Sequence, residues 1–575
     1  MLFKDPLIGP CHETKKLSCM VALGGQGQRL EAAPPRGPAL NSRLLALVLV
    51  FVAVALRVWQ YAAGTSMWMD ELWIASNVLP RSTADLLRRP LDFGQVAPPG
   101  FLLLTKWSTL ALGSTEYALR LLPFLAALAS VVLFWRLACR ALDGAGLPMA
   151  VALFAWNVGL LRYTSEAKQY EVDAAAALAL TLLALRLRDR PPTLPRAVAA
   201  GAAGLLVVCL SHASALVLAG LGAALAIGWL SDRPRSKALP YAVVLCMWAI
   251  AAAVSVLAAV RHLAPSTAAF MKIFWREGFV PWPPVHLSDA LWLWNRLVDL
   301  FGQQLMQYPW PAAYVLVMLA GFVALWRRRR ELTVILVAPL AMTLVAAAAQ
   351  QYPFSRRLIL FLVPVFLIAV AAGIEWLRRG IASRQPALAW AAVVILLVPP
   401  AWIIVRMPPP HRSEEYKGAL AYVRDHRLPG DRIYVFTWAR LGMQFYGPRF
   451  GFNESEYTIG GCYRDELRPY LREIDEFRGA PRVWVILASV FPVRQARIGI
   501  TNYLDAIGVR GGGISYPSAY PFSPDGVFAY LYDLSDSARL AAASWRDFPL
   551  EPMTFRPSCL SAQGRFANPP AEARN

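Results

Sequence analysis

Two adjacent acids, Asp70 and Glu71, stand in the stretch MWMDELWIASNV, between two tryptophans and directly after the first long apolar run of the chain. A carboxylate beside a low-dielectric surface can accept a proton from a hydroxyl nucleophile, or stabilise a cationic transition state. Acids also suit the first turn of a helix, so the pair could serve only to cap the helix that follows. The pair is therefore a candidate catalytic group, with helix capping as the alternative.

A second polar stretch, YTSEAKQYEVD, places Glu166, Lys168 and Tyr170 where a helix is predicted to begin. The Lys168 ammonium can pair with an acid, or it can bind a phosphate as a point charge. The alternative is a Glu–Lys ion pair whose lysine extends its apolar stem toward the membrane surface. This stretch is a candidate for the substrate site.

Two arginines, Arg356 and Arg357, begin the apolar run in QYPFSRRLILFLVP. The planar guanidinium matches phosphate geometry, so the pair is a candidate phosphate clamp, with lipid-headgroup anchoring as the alternative. His212 is isolated in SHAS, which favours a structural or hydrogen-bonding role over metal ligation. The sequence has no HxH or HExxH motif, and its seven cysteines form no CxxC pair.

The composition places these residues in a membrane protein. The chain has 575 residues, of which 57% are hydrophobic and 16% charged, whereas soluble proteins average roughly 45–50% apolar and about 25% charged. The net charge is +20, but residues 408–575 hold 20 Lys and Arg against 18 Asp and Glu. The excess therefore lies in the apolar part, where basic residues mark cytoplasmic loops more often than a nucleic-acid site. No nucleic-acid partner is predicted.

Charge also predicts the topology. The run 98–112 is short and carries Lys106 at its centre, where insertion into the bilayer costs about 2.5–3.5 kcal/mol. We therefore expect it to lie along the membrane surface as an amphipathic helix. The other runs then give about 11 transmembrane helices with every arginine-rich loop on the cytoplasmic side. They lie near 43–63, 116–137, 145–161, 171–187, 195–210, 213–230, 239–260, 311–326, 332–349, 358–377 and 386–404.

The predicted fold is a mainly α, polytopic inner-membrane protein with a small α/β extracytoplasmic C-terminal domain. The strand-like stretches DRIYVFTW, PRVWVILAS and GVFAYLYDL support that domain. Its two cysteines, Cys462 and Cys559, are predicted to pair, because extracytoplasmic compartments are oxidising. The predicted parts are a disordered cytoplasmic leader (1–42), a transmembrane module (43–405) and the C-terminal domain (408–575). The outer segments are 64–115, 162–170, 261–310 and 350–357.

The ordered pieces MDELWIA, APPGFLLLTKW, YALRLLP, RYTSEAKQYEVDA, SHAS and QYPFSRRLILFLVP resemble the GT-C glycosyltransferases of the family 39 group. That group includes protein O-mannosyltransferases and aminoarabinose transferases. The resemblance covers about 43–405 and implies a GT-C-like transmembrane fold, surface helices on the outer face and a polyprenyl-phosphate sugar donor. It implies an acceptor that is a lipid, a glycan or a protein.

The resemblance also implies roles for individual residues. Asp70 matches the loop acid that acts as catalytic base, with Glu71 beside it. The other matches are Pro98 and Pro99 at the start of the second surface helix, Glu166 and Lys168 in an EAR-like motif, His212 in a THY-like turn, and Arg356 or Arg357 near the donor phosphate. Ala97 departs from the pattern, because many relatives have His or Lys there. No cofactor is required, and dependence on a divalent metal stays open.

The predicted function is transfer of a sugar from a polyprenyl-phosphate donor on the outer face, with inversion and with Asp70 as the base. A transporter or flippase for a lipid-linked sugar is the first alternative, although such proteins usually have internal repeats and polar sites at the membrane midplane. The other alternative is a non-catalytic envelope scaffold, in which Asp70→Asn would leave function intact.

Overall fold

The computed structural model describes residues 40–232, 238–262, 265–463, 466–488, 494–519 and 526–550. The predicted leader therefore lies outside the described residues, apart from its last three positions. Cys462 is disulfide-bonded, and its predicted partner Cys559 also lies outside them.

The described residues from 40 to 406 fold into a bundle of helices. Those from the first apolar run to the second arginine-rich turn are α1 (Leu40–Ala62), α2 (Met69–Val78), α3 (Thr83–Arg88), α4 (Pro99–Leu112), α5 (Glu116–Ala141), α6 (Gly146–Ala155), α7 (Val158–Tyr163) and α8 (Tyr170–Asp189). Those that complete the bundle are α9 (Leu194–Leu210), α10 (Ser214–Asp232), α11 (Ala238–His262), α12 (Pro265–Phe274), α13 (Leu287–Ala290), α14 (Trp292–Asp299), α15 (Pro311–Arg328), α16 (Arg330–Ala348), α17 (Val363–Ala382) and α18 (Pro386–Arg406).

Eight of the described helices are long and apolar enough to cross a membrane: α1, α5, α10, α11, α15, α16, α18, and α17 together with the turn Arg356–Leu362 before it. The predicted spans near 145–161 and 195–210 contain the shorter apolar helices α6 and α9, of 10 and 17 residues. The span near 171–187 corresponds to α8, which has 20 residues and carries two acids in its first turn. The protein is thus a mainly helical, multi-pass membrane protein, and the count of 11 spans stays a prediction.

The turns between the long helices fall at two ends of the bundle. At one end, which we call the arginine end, ion pairs join the turns that follow α5, α8 and α15. These pairs are Arg140–Asp189 (3.3 Å), Arg329–Asp143 (3.2 Å) and Arg188–Glu331 (3.0 Å). The other end, the domain end, is where the chain after α18 packs. Within the described residues, three of the predicted arginine-rich loops thus lie at the same end of the bundle.

Membrane orientation can be tested by cysteine labelling. We expect the arginine end to face the cytoplasm, because basic loops are retained there. Arg330→Cys and Ser537→Cys each place a thiol at an exposed position, one at each end. In intact cells a membrane-impermeant maleimide should label position 537 but reach position 330 only after permeabilisation, with the parent chain as the background control. Labelling of both from outside would contradict the orientation.

Helix α4 packs on α5 at the domain end, and its Lys106 has a local partner. The buried ammonium donates hydrogen bonds to the carbonyls of Val78 (3.0 Å) and Leu79 (2.9 Å), at the end of α2. The last carbonyls of a helix have no partner within the helix and carry partial negative charge, so a lysine stabilises them. Lys106 therefore joins the two short helices of the first loop.

After α18 the chain forms a five-stranded sheet with strand order β2-β1-β3-β5-β4. The strands β1, β2 and β3 are parallel, whereas β5 runs antiparallel to both β3 and β4. The strands are β1 (Arg432–Val435), β2 (Thr458–Ile459), β3 (Val483–Ala488), β4 (Val509–Pro517) and β5 (Gly526–Asp533). The helices are α19 (Tyr416–His426), α20 (Arg440–Tyr446), α21 (Arg468–Asp475), α22 (Arg494–Ile507) and α23 (Ser537–Ala542).

One face of this sheet shares a core with the first loop of the bundle. Residues of α2 and α4 belong to the same buried apolar cluster as α19, α20 and alternate residues of the central strands, while α21 and α22 cover the other face. Polar contacts reinforce the interface: the Met67 N–H donates to the Tyr446 hydroxyl (2.8 Å), and Lys417 pairs with Glu116 (2.6 Å). The C-terminal domain thus holds in place the loop that carries Asp70 and Glu71.

Candidate active site

Four segments of the chain meet around the guanidinium of Arg357. Its Nη2 lies 2.9 Å from Oδ2 of Asp70, a carboxylate that is only 5% exposed. Three aromatic rings surround the same guanidinium, with centroids 5.7 Å (Trp68), 5.8 Å (Tyr170) and 5.7 Å (Trp275) from its central carbon. Cations are attracted to such rings, so the cage fixes the direction of Arg357. The structure thereby brings together one residue or more from each predicted outer segment.

The two adjacent acids have different surroundings. Glu71 accepts a bidentate pair from Arg120, with distances of 2.7 and 2.6 Å, and it also accepts the Ala167 N–H at 2.8 Å. It further accepts the Trp68 N–H at 3.3 Å, as an acid at the third position of a helix often does. Glu71 is therefore occupied in joining α2, α5 and the loop before α8. Asp70 has its single ion pair with Arg357 and is the acid that a substrate can reach by displacing one contact.

A second cation–anion group lies beside Asp70. Lys168 Nζ donates to the side-chain oxygen of Gln95, and Arg162 Nε lies 3.4 Å from Glu166. Burial raises the pKa of Glu166 to about 7, opposed by the charge of Arg162. Burial also lowers the pKa of Lys168, and the nearby Asp70 partly offsets that effect. Both groups lie in the turn between α7 and α8 and act on the electrostatic field at Asp70.

The backbone conformation explains why the side chains of Arg356 and Arg357 point in different directions. Arg356 has φ +43°, a left-handed conformation that turns the backbone between the two residues. Its side chain is exposed, whereas that of Arg357 is 24% exposed and faces Asp70. Of the two predicted phosphate ligands, only Arg357 is in contact with the other site residues.

Several predicted residues lie outside the cluster or at its edge. His212 Nδ1 is 3.2 Å from the Ser255 hydroxyl on α11, which agrees with a hydrogen-bonding role. Pro99 is the first residue of α4 and Pro98 its N-cap, as the double proline implies. Within the described ranges, no group of three or more His, Cys, Asp or Glu side chains is placed to hold a metal ion. Dependence on a metal stays open.

Sequence reasoning missed Arg120, Arg162 and Trp275. Arg120 had a usable signal, because it stands in YALRLLP at the start of an apolar helix, where a charged side chain is costly unless it is paired. Arg162 lies 4.9 Å from the Trp68 ring, on which Arg357 also packs. Trp275 follows α12 in the long 261–310 loop, where the sequence holds many exposed aromatic residues and no pattern singles it out.

No family model and no curated protein sequence matches the chain. Among solved structures, the fold is similar to an oligosaccharyltransferase of Archaeoglobus fulgidus in complex with Zn and sulfate, at 13% identity and TM-score 0.43, covering 85% of this chain and 73% of that one. AglB from the same organism, in complex with an inhibitory peptide and a dolichol-phosphate, is 14% identical with TM-score 0.43, covering 89% and 75%.

It is also similar to ArnT from Cupriavidus metallidurans in the apo state, at 11% identity and TM-score 0.44, covering 86% of this chain and 99% of that one. ArnT bound to undecaprenyl phosphate is 11% identical, with TM-score 0.38 and coverage of 87% and 98%. Both kinds of protein are GT-C membrane glycosyltransferases. Because all these TM-scores are below 0.5, we base the proposed function on the residues of this chain.

Proposed function

We propose that this protein is a membrane glycosyltransferase that moves a sugar from a polyprenyl-phosphate donor to an acceptor at the domain end of the bundle. The observation that carries the proposal is an excess of buried and half-buried cations around Asp70. Four cations (Arg120, Arg162, Lys168 and Arg357) face three acids (Asp70, Glu71 and Glu166), a net charge of +1, or +2 when Glu166 is protonated. A buried excess of positive charge is stabilised by an anion, and arginine suits phosphate.

In this mechanism the donor phosphate takes the place of Asp70 on Arg357, with Lys168 as a second cation. Displacement frees the Asp70 carboxylate to accept the proton of the acceptor hydroxyl. The hydroxyl oxygen attacks the anomeric carbon from the face opposite the phosphate, and the bond between that carbon and the phosphate oxygen breaks. The electron pair stays on the phosphate, whose charge Arg357 stabilises. The products are a glycoside of inverted configuration and the polyprenyl phosphate.

The proposal is tested by turnover of the detergent-purified full chain. Polyprenyl phosphates carrying a hexose, a pentose or an amino sugar are supplied with an extract of envelope lipids, glycans and proteins, and release of polyprenyl phosphate is measured. We expect release with one class of donor, dependent on acceptor. If no donor is consumed while vesicles containing the protein move a lipid-linked sugar between leaflets, the transporter alternative replaces the enzyme. Mass spectrometry of the envelope from cells with and without the gene then identifies the sugar.

Donor binding should depend on Arg357 and not on its neighbour. A hydrogen bond to a charged group contributes about 1.5–3 kcal/mol, so Arg357→Gln should raise the apparent KM for the donor about tenfold or more. Arg356→Gln is the matched control, because the same change is made at an exposed side chain. Equal effects of the two substitutions on donor titration would remove Arg357 from the phosphate site.

Donor affinity should also depend on pH through Glu166. Its pKa of about 7 means that it gains negative charge between pH 6 and pH 8, while a phosphodiester donor stays anionic. We expect the donor KM to be roughly threefold to tenfold lower at pH 6 than at pH 8. Because the pKa is raised above the ordinary 4.5, ionising Glu166 also costs folding free energy, so stability falls as pH rises from 4.5 to about 7.

Glu166→Gln is the test of this assignment. In this variant the donor KM should stay near its low-pH value at every pH, because Gln stays neutral. The dependence of folding stability on pH should flatten for the same reason. The other ionisable groups facing Glu166 are Arg162, Arg357, Asp70 and Glu71. If the variant keeps the full pH dependence of KM, one of the remaining groups, or Lys168, is responsible instead.

A further inference from the structure

A cleft of about 430 Å³ opens at the arginine end, between α15, α17 and the turn that joins α5 to α6. Its walls are apolar, with Ala324 and Leu325 on α15 and Ala372 and Trp376 on α17. A methyl group built on Gly380, at the edge of the cleft, would meet no atom within 4 Å. The volume is in the range of ligand-binding pockets, which are about 300–1,000 Å³.

The rim of the cleft is cationic. Arg328, Arg329 and Arg379 line it, while the two acids at the same place are already neutralised. Asp143 pairs with Arg329 (3.2 Å), and Glu375 accepts hydrogen bonds from Arg379 and Arg378 (both 2.6–2.7 Å from Nε). Arg328 is exposed and forms no hydrogen bond or ion pair with any residue that the structure describes. The rim thus presents an uncompensated positive charge above apolar walls.

The walls continue onto the outer surface of the helices. Trp376 is 48% exposed and Trp326 is 47% exposed, and tryptophan is enriched where a helix leaves the hydrocarbon core. A molecule that fills this cleft must combine an anionic head at the level of Arg328 with an apolar part against Ala324 and Trp376. A free inorganic anion would leave the apolar walls uncovered, and a neutral lipid would leave the rim charge unpaired.

We propose that this cleft is a binding site for an anionic glycerophospholipid. Its phosphate lies against Arg328, with Arg329 and Arg379 at the sides, and the start of an acyl chain lies against Ala324 and Trp376. Basic pockets between transmembrane helices bind anionic lipid headgroups in this way. The site is at the end of α17 opposite Arg357, so it does not depend on the proposed sugar transfer.

The test is native mass spectrometry of the detergent-purified full chain titrated with phosphatidylglycerol or phosphatidylcholine. We expect retention of one phosphatidylglycerol and weaker retention of phosphatidylcholine. Arg328→Gln should weaken phosphatidylglycerol binding about tenfold or more, as loss of a charged hydrogen bond does. Arg327→Gln makes the same charge change at an exposed residue that does not line the cleft, and should change binding less than about twofold.

A second variant, Ala324→Phe, fills the cleft without changing any charge and should also reduce phosphatidylglycerol retention, with the thermal midpoint checking that it folds. The proposal is overturned if the wild-type chain retains no phosphatidylglycerol, if the two lipids bind equally well, or if Arg327→Gln and Arg328→Gln weaken binding equally. Equal weakening would mean that the lipid responds only to the overall charge of this end. Binding in the cleft is supported if Arg328→Gln and Ala324→Phe weaken phosphatidylglycerol binding and Arg327→Gln does not.

Discussion

Replacing Asp70 with Asn is expected to lower turnover by about 10²–10⁴-fold, the usual contribution of a positioned general base. Asn keeps the size of the side chain but cannot accept a proton. The donor KM should not rise, because the substitution removes the carboxylate that occupies Arg357 in the free protein (2.9 Å) and leaves the arginine open to phosphate. A fall in turnover without a rise in KM is the signature of an interaction made only in the transition state.

Asp92→Asn is the matched control for Asp70→Asn. Asp92 lies in the same loop and also pairs with an arginine, Arg81, at 2.8 Å, but its side chain is 26% exposed and outside the cluster. We expect it to leave turnover within about twofold, since pairs of this kind contribute little. A folded Asp70→Asn protein with near-normal turnover would show that Asp70 is not the base.

Charge at the ends of apolar runs, on the side that the charge rule predicts to be extracytoplasmic, was the informative sequence signal for this site. Asp70, Lys168 and Arg357 stand out because each lies at the end of an apolar run where the charge rule disfavours it or where its burial needs a partner. Their meeting follows from the alternation of spans, which brings every second turn to the same end of the bundle. The sequence predicted that four segments lie on the outer face of the membrane, and in the structure residues from all four meet around Arg357.

The partner that each residue of an adjacent pair meets could not be predicted from the residues themselves, although the family resemblance assigned the base to Asp70 and left Arg356 and Arg357 open. Asp70 and Glu71 are successive residues of one helix, so their side chains point about 100° apart, and which one meets Arg120 depends on how α2 is placed relative to Arg120. The side chains of Arg356 and Arg357 point apart because the backbone at Arg356 adopts a positive φ. The sequence has no glycine or asparagine at this position that would predict such a conformation. Tertiary packing therefore decides which partner each of these residues meets.

Tertiary contacts also decide which segments of the C-terminal domain form strands. The stretches that contain β1, β3 and β5 are rich in β-branched and aromatic residues, and all three were predicted as strands. Strand β4 was missed because VRGGGISYP contains three consecutive glycines, which weaken strand propensity. It forms because β5 pairs with it along its length and α19 packs on it, with Tyr516 against Gly418. Strand β2 has two residues, too few for any pattern.

Replacing Arg120 with Gln is expected to lower the free energy of unfolding by about 3–5 kcal/mol, the cost of leaving one partner of a buried ion pair alone. Glu71 is 1% exposed and Arg120 is 3% exposed. Arg120 also donates to the carbonyls of Thr65 (2.6 Å) and Ser66 (3.2 Å), so it holds both the acid and the loop in front of it. Unfolding of the detergent-solubilised protein by denaturant titration measures the change.

Arg449→Gln is the control for Arg120→Gln. It breaks a single-contact pair with Glu116 (3.1 Å), which keeps its pair with Lys417, and the Arg449 side chain is 36% exposed, so it should cost less than about 1 kcal/mol. The double variant Glu71→Leu with Arg120→Met then tests whether the ion pair contributes to stability or to turnover. Removing both charges leaves no buried ion unpaired, so we expect it to recover much of the stability lost in Arg120→Gln.

Turnover of the double variant decides the role of Glu71. If Glu71 contributes only to stability, the double variant should recover much of the turnover lost in Arg120→Gln together with the fold, because Asp70 and Arg357 are untouched. If the double variant is stable but as slow as Asp70→Asn, then Glu71 contributes to turnover itself, by positioning Asp70 or by proton transfer. The bidentate contact of Glu71 with Arg120 and its acceptance of the Ala167 N–H favour the first result, since both oxygens of that carboxylate already have partners within the protein.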